Sequence, residues 1–167
     1  TLACVILVFI LSCSIALSEN GGIAKGDTIP SLTMTNLKGN VYTLQKPDNQ
    51  LTLVYFWASW CKPCQQTLPA YMQLYRKYKN ASFEGGASGF TLYAISLDKR
   101  RKAWKHAAEQ HRMPKRLTVS DLKGWESKAV EKFGIGAIPS SFVVDENGVV
   151  KATNVSETLA DLLQEQK

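Results

Sequence analysis

Histidine is scarce in this chain: His106 and His111 are the only two among 167 residues. Cysteine is nearly as scarce, and of its four copies Cys4 and Cys13 lie inside an apolar N-terminal stretch, leaving Cys61 and Cys64 as the one close pair elsewhere. A tetrahedral zinc site built on such a pair needs two further ligands, and the two histidines are five residues apart on a separate expected helix. Zinc is therefore set aside and no metal is expected. Internal repeats and nucleic-acid motifs are also lacking. The net charge of +6 comes largely from Lys99, Arg100, Arg101, Lys102 and Lys105, with no interleaved aromatic platform. Such a patch can attract an acidic partner or anionic lipid, but a solvated helix face is the better reading, and no nucleic-acid partner is expected.

Long hydrophobic runs are limited to Leu2–Leu17, which carries no charge but is short and weakly flanked for a membrane span. It is expected to be the h-region of a truncated secretory signal covering residues 1–18, cleaved after Ser18. Alternatively, Ile10-Leu11-Ser12-Cys13 loosely resembles a lipoprotein signal, which would make Cys13 an acylated N-terminus. Both readings put the domain outside the cytoplasm, in a bacterial periplasm or envelope, where thiols meet oxidising conditions. Residues 19–25, with Gly21-Gly22, form a linker. Residues 26–167 then make one domain, and 45% hydrophobic content is enough for a sizeable core. A monomer is expected.

The stretch that organises the domain is Phe56-Trp57-Ala58-Ser59-Trp60-Cys61-Lys62-Pro63-Cys64. It follows the apolar run Leu51–Tyr55, which reads as a buried central strand, and precedes a helical pattern, so both cysteines fall where a strand gives way to a helix. Unpaired N–H groups and the positive end of the helix dipole favour a thiolate there, and Lys62 adds a cation between the two sulfurs. Cys61 is expected to be the attacking sulfur. Cys64 lies about one helical turn on, close enough to close a small disulfide ring, and Pro63 is tolerated in a first turn that has no N–H partner to lose. Cys64 is then the resolving thiol.

Phe56–Cys64 resembles the active-site segment of the thioredoxin superfamily, and residues 26–167 resemble its extracytoplasmic TlpA/ResA-like branch, related to the AhpC/TSA and redoxin families. Two other features fit: Pro69, five residues after Cys64, resembles the family's helix kink, and Ile138-Pro139 before a strand resembles its cis-proline turn. The resemblance implies a thioredoxin fold, a central mixed β-sheet with helices on both faces, extended by an N-terminal β-hairpin. It also implies a substrate ledge of Trp60, Ile138 and Pro139 beside the disulfide, with Lys62 and Pro63 in the surrounding turn. No organic cofactor is needed, because the Cys61–Cys64 disulfide is itself the redox group.

The rest of the pattern agrees. Leu32–Thr35 and Val41–Leu44 alternate as an edge hairpin, with Gly26–Pro30 leading in. A helix from Cys64 to about Tyr78 gathers Leu68, Tyr71, Met72, Tyr75 and Tyr78 as packing residues. Phe90–Leu97 is a buried strand, with Asp98 as N-cap of a helix over 99–112. A short strand at 117–119, a helix over 126–133, a hairpin turning at Asn147-Gly148 and a closing helix over 158–164 complete the order.

The chemistry expected is thiol-disulfide exchange with exported thiol or disulfide proteins, in the reducing direction. The resemblance implies electrons from a membrane thiol reductase of the DsbD or CcdA kind, and substrates such as apocytochrome c. In one respect the chain departs from its relatives. Many place a buried acid near the resolving cysteine, and here those positions look like Tyr55 and Thr67. Three other classes were weighed. A peroxiredoxin needs Thr or Ser three residues before the cysteine and Pro seven before, where this chain has Ala58 and Val54. A Sco-type copper protein carries a three-residue spacer between its cysteines. A noncatalytic binding domain would leave the pair vestigial.

Overall fold

The computed structural model describes residues 22–44, 49–155 and 158–165. The expected leader over 1–18, with Cys4 and Cys13, and linker residues 19–21 lie outside the described residues. In chain order the elements are β1 (Leu32–Asn36), β2 (Val41–Leu44), β3 (Leu51–Trp57), α1 (Lys62–Tyr78), β4 (Phe90–Ser96), α2 (Arg101–Gln110) and β5 (Thr118–Ser120). A 3₁₀ turn (Gly124–Glu126) follows, then α3 (Lys128–Phe133), β6 (Ser140–Val144), β7 (Val150–Thr153) and α4 (Leu159–Glu165).

β3 is apolar at nearly every position because both of its faces are covered. All seven of its residues are buried. The Tyr55 ring meets Tyr71 of α1 edge-on at 4.9 Å, while the next side chain, Phe56, points to the other face and meets Phe133 of α3 at 5.3 Å. Successive strand residues face opposite ways, so helices lie on both faces of the sheet. Fully burying a side chain such as Leu53 or Phe56 contributes roughly 1.5–3 kcal/mol, which makes this strand the anchor of the core.

The sheet has seven strands in the order β2-β1-β5-β4-β3-β6-β7. β3, β4 and β5 are parallel, while β6 and β7 on one side and β1 and β2 on the other run antiparallel to their neighbours. The expected N-terminal hairpin is present, with Leu32 opposite Leu44, and it extends the sheet through pairing of β1 with β5.

Three local expectations are corrected. Gly26–Ile29 does not lead directly into the hairpin: Gly26 N–H donates to the Val150 carbonyl at 2.8 Å, Val150 N–H to Asp27 at 2.8 Å and Ile29 N–H to Gly148 at 2.9 Å. The segment therefore covers the outer edge of β7, whose main-chain groups would otherwise be open to another strand. Asp98 is not a helix cap. Arg100 occupies that position with no side-chain bond, and α2 is shorter than the periodicity suggests. The third helix starts at Lys128 rather than at residue 126, because Ser127 caps it by accepting from Ala129 N–H at 3.2 Å. It ends at Gly134, whose left-handed φ of 62° suits glycine.

Candidate active site

Cys61 is the N-cap of α1, and its Sγ accepts from Cys64 N–H at 3.2 Å. An extended backbone at residue 61 followed by helix from Lys62 turns both sulfurs towards each other, and they are joined in a disulfide with Cα atoms 5.2 Å apart. The first turn of α1 carries no acidic residue and accommodates Pro63 where an N–H would have no partner. Cys61 is 5% exposed and Cys64 fully buried, so Cys61 is the more accessible of the pair. Trp60, immediately before it, is 57% exposed, and Lys62 and Pro63 are also exposed.

The sheet brings the expected proline turn towards the same end. β6 runs antiparallel to β3 with Ser140 opposite Phe56, so Pro139, just before β6, lies towards the sheet end from which the chain leaves β3 for Cys61. The Ile138–Pro139 peptide bond is cis, and both residues are half-buried. α1 continues through Pro69, which offers no N–H to the Gln65 carbonyl.

Below Cys64 the surroundings are polar but uncharged. Tyr55 Oη donates to the Cys64 carbonyl at 3.0 Å and lies 2.7 Å from Thr67 Oγ1, which itself donates to that carbonyl at 3.0 Å. Burial pushes the Tyr55 hydroxyl well above its ordinary pKa of 10, against the opposing hydrogen bond from Thr67, so it stays protonated at neutral pH. The two positions where an acid was sought are therefore one hydroxyl pair holding the main chain of Cys64.

A carboxylate does reach the site, from a residue that the sequence reading placed elsewhere. Asp98, 2% exposed at the end of β4, accepts from Ser59 N–H at 2.9 Å, from the Ser59 hydroxyl, and from Ser96 Oγ at 2.8 Å. Ser59 is two residues before Cys61, so Asp98 anchors the turn that leads into Cys61. On the other side of that turn, Gln65 Nε2 donates to the Ser59 carbonyl, and Gln65 Oε1 lies 3.4 Å from Nε2 of His111 at the end of α2. One signal could have found Asp98: a polar residue at the carboxyl end of a buried parallel strand adjoining the strand that carries the cysteines.

The AhpC/TSA family matches residues 25–153. The chain belongs to the AhpC/TSA family. It is 27% identical over 134 residues to thiol-disulfide oxidoreductase ResA of Geobacillus kaustophilus, covering 80% of this chain and 71% of that protein. Among solved structures, the thioredoxin domain of a thiol-disulfide oxidoreductase from Bacteroides vulgatus superposes with a TM-score of 0.71 at 27% identity, covering 84% of this chain and 99% of that one. A protein assigned as thiol:disulfide interchange protein DsbE from Chlorobium tepidum gives 0.68 at 28% identity, over 86% and 97%. Together with the Cys61–Cys64 disulfide, these place this AhpC/TSA member as a thiol-disulfide oxidoreductase of thioredoxin-like fold.

Proposed function

We propose that this AhpC/TSA member reduces disulfides in exported proteins, with Cys61 as nucleophile and Cys64 as resolving thiol. The observation that carries the assignment of roles is the helix-capping position of Cys61: its sulfur already accepts the Cys64 N–H, lies at the less buried side of the pair and is preceded by the exposed Trp60. A thiolate there keeps that bond and gains from the helix dipole. The Cys61 thiolate attacks one sulfur of a partner disulfide, and the partner's other sulfur leaves as a thiolate. Cys64, on losing its proton, attacks Cys61 Sγ, releasing the partner's remaining sulfur. The partner gains two electrons and two protons, and the chain is left with the Cys61–Cys64 disulfide of the structure.

The cis Ile138–Pro139 turn and Trp60 flank the pair as the ledge against which an extended partner segment lies. A donor is required to restore the dithiol, and a membrane thiol reductase of the DsbD or CcdA kind suits a domain outside the cytoplasm. That location rests on the apolar Leu2–Leu17 segment. Maturation of c-type cytochromes is the setting that the resemblance to the TlpA/ResA-like branch implies.

Equilibration with glutathione mixtures tests the direction. A potential near the thioredoxin value of about −270 mV supports a reductase, and one near the DsbA value of about −120 mV reverses it. Cys61→Ser is expected to abolish exchange, whereas Cys64→Ser is expected to accumulate mixed disulfides with exported proteins. A Cys61→Ser variant that exchanges at the wild-type rate overturns the assignment of roles.

A further inference from the structure

We propose that the strand-end surface on the β5 side of the disulfide, running from Trp60 to Trp125, docks an extended acidic segment of the partner protein. This rests on exchange at Cys61–Cys64 and adds a second arm to the site, opposite the proline turn on β6. Its parts meet at the junction between β4 and α2. Asp98, in that junction, binds Ser59 and so fixes the turn that carries Trp60. The 3₁₀ turn packs on the same junction from the other side: a Cβ at Gly124 would lie 2.8 Å from Lys99 Cε and 3.4 Å from the Leu97 carbonyl. Lys99 Nζ lies 3.3 Å from Glu126 Oε1, and Ser120 Oγ donates to the Ser96 carbonyl at 2.8 Å. The turns that carry Trp60 and Trp125 are therefore held against one short stretch of chain.

Trp60 is 57% exposed and Trp125 45%, in a domain that buries Trp57 and Trp104 completely. Exposed indoles are anchors of the kind that carry most of an interface's energy, and Trp60 directly precedes Cys61. The charge around them is predominantly positive. Lys99, Arg100, Lys102 and Lys123 are all exposed, and Arg100 and Lys102 line a surface depression of about 430 Å³ with Ala103 and His106. Neither Arg100 nor Lys102 has an ion-pair partner among the described residues. α2 begins there with no acidic residue in its first turn and no side-chain cap, so its dipole adds to the positive field. Of the nearby carboxylates, Asp98 is buried and Asp121 is bound by Ser127 and by Lys123 N–H, which leaves Glu126 as the exposed negative charge. An acidic polypeptide flanking the partner's cysteines complements this surface, and its apolar side chains can lie on the indoles.

The test uses three disulfide-bridged peptides of equal length whose flanking residues are glutamate, glutamine or lysine. Reduction by the dithiol form is followed in stopped flow, and rates are expressed relative to hydroxyethyl disulfide, which reports exchange without docking. The glutamate peptide is expected to react about tenfold faster than the lysine peptide at low salt, with the difference collapsing at high ionic strength. The paired variant Arg100→Glu/Lys102→Glu is expected to invert that order, and Trp125→Ala to slow the glutamate peptide severalfold. Equal rates for the three peptides on the wild type, or a preference that survives the charge reversal, overturn the proposal. So does binding of the patch to phosphatidylglycerol vesicles with no peptide preference, which reassigns it to a membrane surface. No reaction with hydroxyethyl disulfide overturns the exchange reading itself and the docking surface with it.

Discussion

Replacing Asp98 tests whether the carboxylate positions the nucleophile or merely supports the fold. Its Oδ2 accepts from Ser59 N–H and Ser96 Oγ, and its Oδ1 from the Ser59 hydroxyl. Asp98→Ala removes both acceptor oxygens and with them all three bonds. The half-exposed Ser59 hydroxyl can turn to water, but Ser59 N–H and the buried Ser96 hydroxyl lose charge-assisted bonds of about 1.5–3 kcal/mol each. Release from burying a carboxyl group that makes no ion pair among the described residues offsets part of this, leaving a loss of about 3 kcal/mol. Asp98→Asn keeps a carbonyl for Ser59 N–H and an amide that can donate to the Ser59 hydroxyl, so it restores most of the turn without the charge. Urea unfolding of both variants is to be paired with their exchange rates on hydroxyethyl disulfide. The alanine variant is expected to exchange at least tenfold more slowly while folded, and the asparagine variant to recover most of that rate. An alanine variant that is destabilised but exchanges normally confines Asp98 to a structural role. One within 0.5 kcal/mol of wild type refutes the hydrogen-bond accounting, since that accounting requires about six times as much.

Tyr55→Phe leaves Thr67 bonded to the Cys64 carbonyl and is expected to lose about 1 kcal/mol in urea unfolding at neutral pH. Because burial holds the folded Tyr55 hydroxyl above its ordinary pKa of 10, the unfolded chain binds fewer protons above that pH. Stability then falls as pH climbs past 10, and Tyr55→Phe is expected to reduce that fall in an alkaline titration of Tm. His111 has the opposite sign: burial lowers its pKa below the ordinary 6.5, so the unfolded chain binds more protons and stability is lost as pH falls below 6.5. His111→Gln is expected to flatten that acid limb, and an unchanged limb in the same Tm series contradicts the assignment. Gly134→Ala would put a Cβ 2.5 Å from the Gly22 Cα at a left-handed φ of 62°, so it is expected to cost about 2–3 kcal/mol and lower Tm by several degrees.

Features fixed by nearest neighbours in the sequence were the legible ones. The apolar run Leu51–Tyr55, which lies within β3, the three- and four-residue spacing of Leu68, Tyr71, Met72 and Tyr75, and the strand-to-helix position of the cysteines each follow from local periodicity and agree with the observed elements. What escaped depends on partners far along the chain. Asp98 satisfies the local rule for a helix cap, yet its oxygens are taken by Ser59, 39 residues away. Gly26–Ile29 has no pattern that distinguishes pairing with β7 from leading into β1; the bare edge of β7 decides it. Docking of β1 on β5 rests on only two residue pairs and leaves no trace in composition.

Charge is divided unevenly across the dithiol, and the division bears on how the two half-reactions compare. On the Cys61 side, the Asp98 side chain acts through Ser59 on the turn, while the sulfur itself meets an N–H at the start of a helix free of acidic residues. On the Cys64 side, the hydroxyls of Tyr55 and Thr67 are spent on the main-chain carbonyl, and the raised pKa of Tyr55 leaves it no capacity to take a proton at neutral pH. Under the proposed roles, attack on a partner is therefore assisted, whereas release waits for a buried thiol to deprotonate without a carboxylate in hydrogen-bond contact with its backbone anchors. A mixed disulfide with a long lifetime follows from that asymmetry. Such an intermediate gives the surface around Trp60 time to matter, because contacts that hold the partner in place act through the whole interval between the two sulfur attacks.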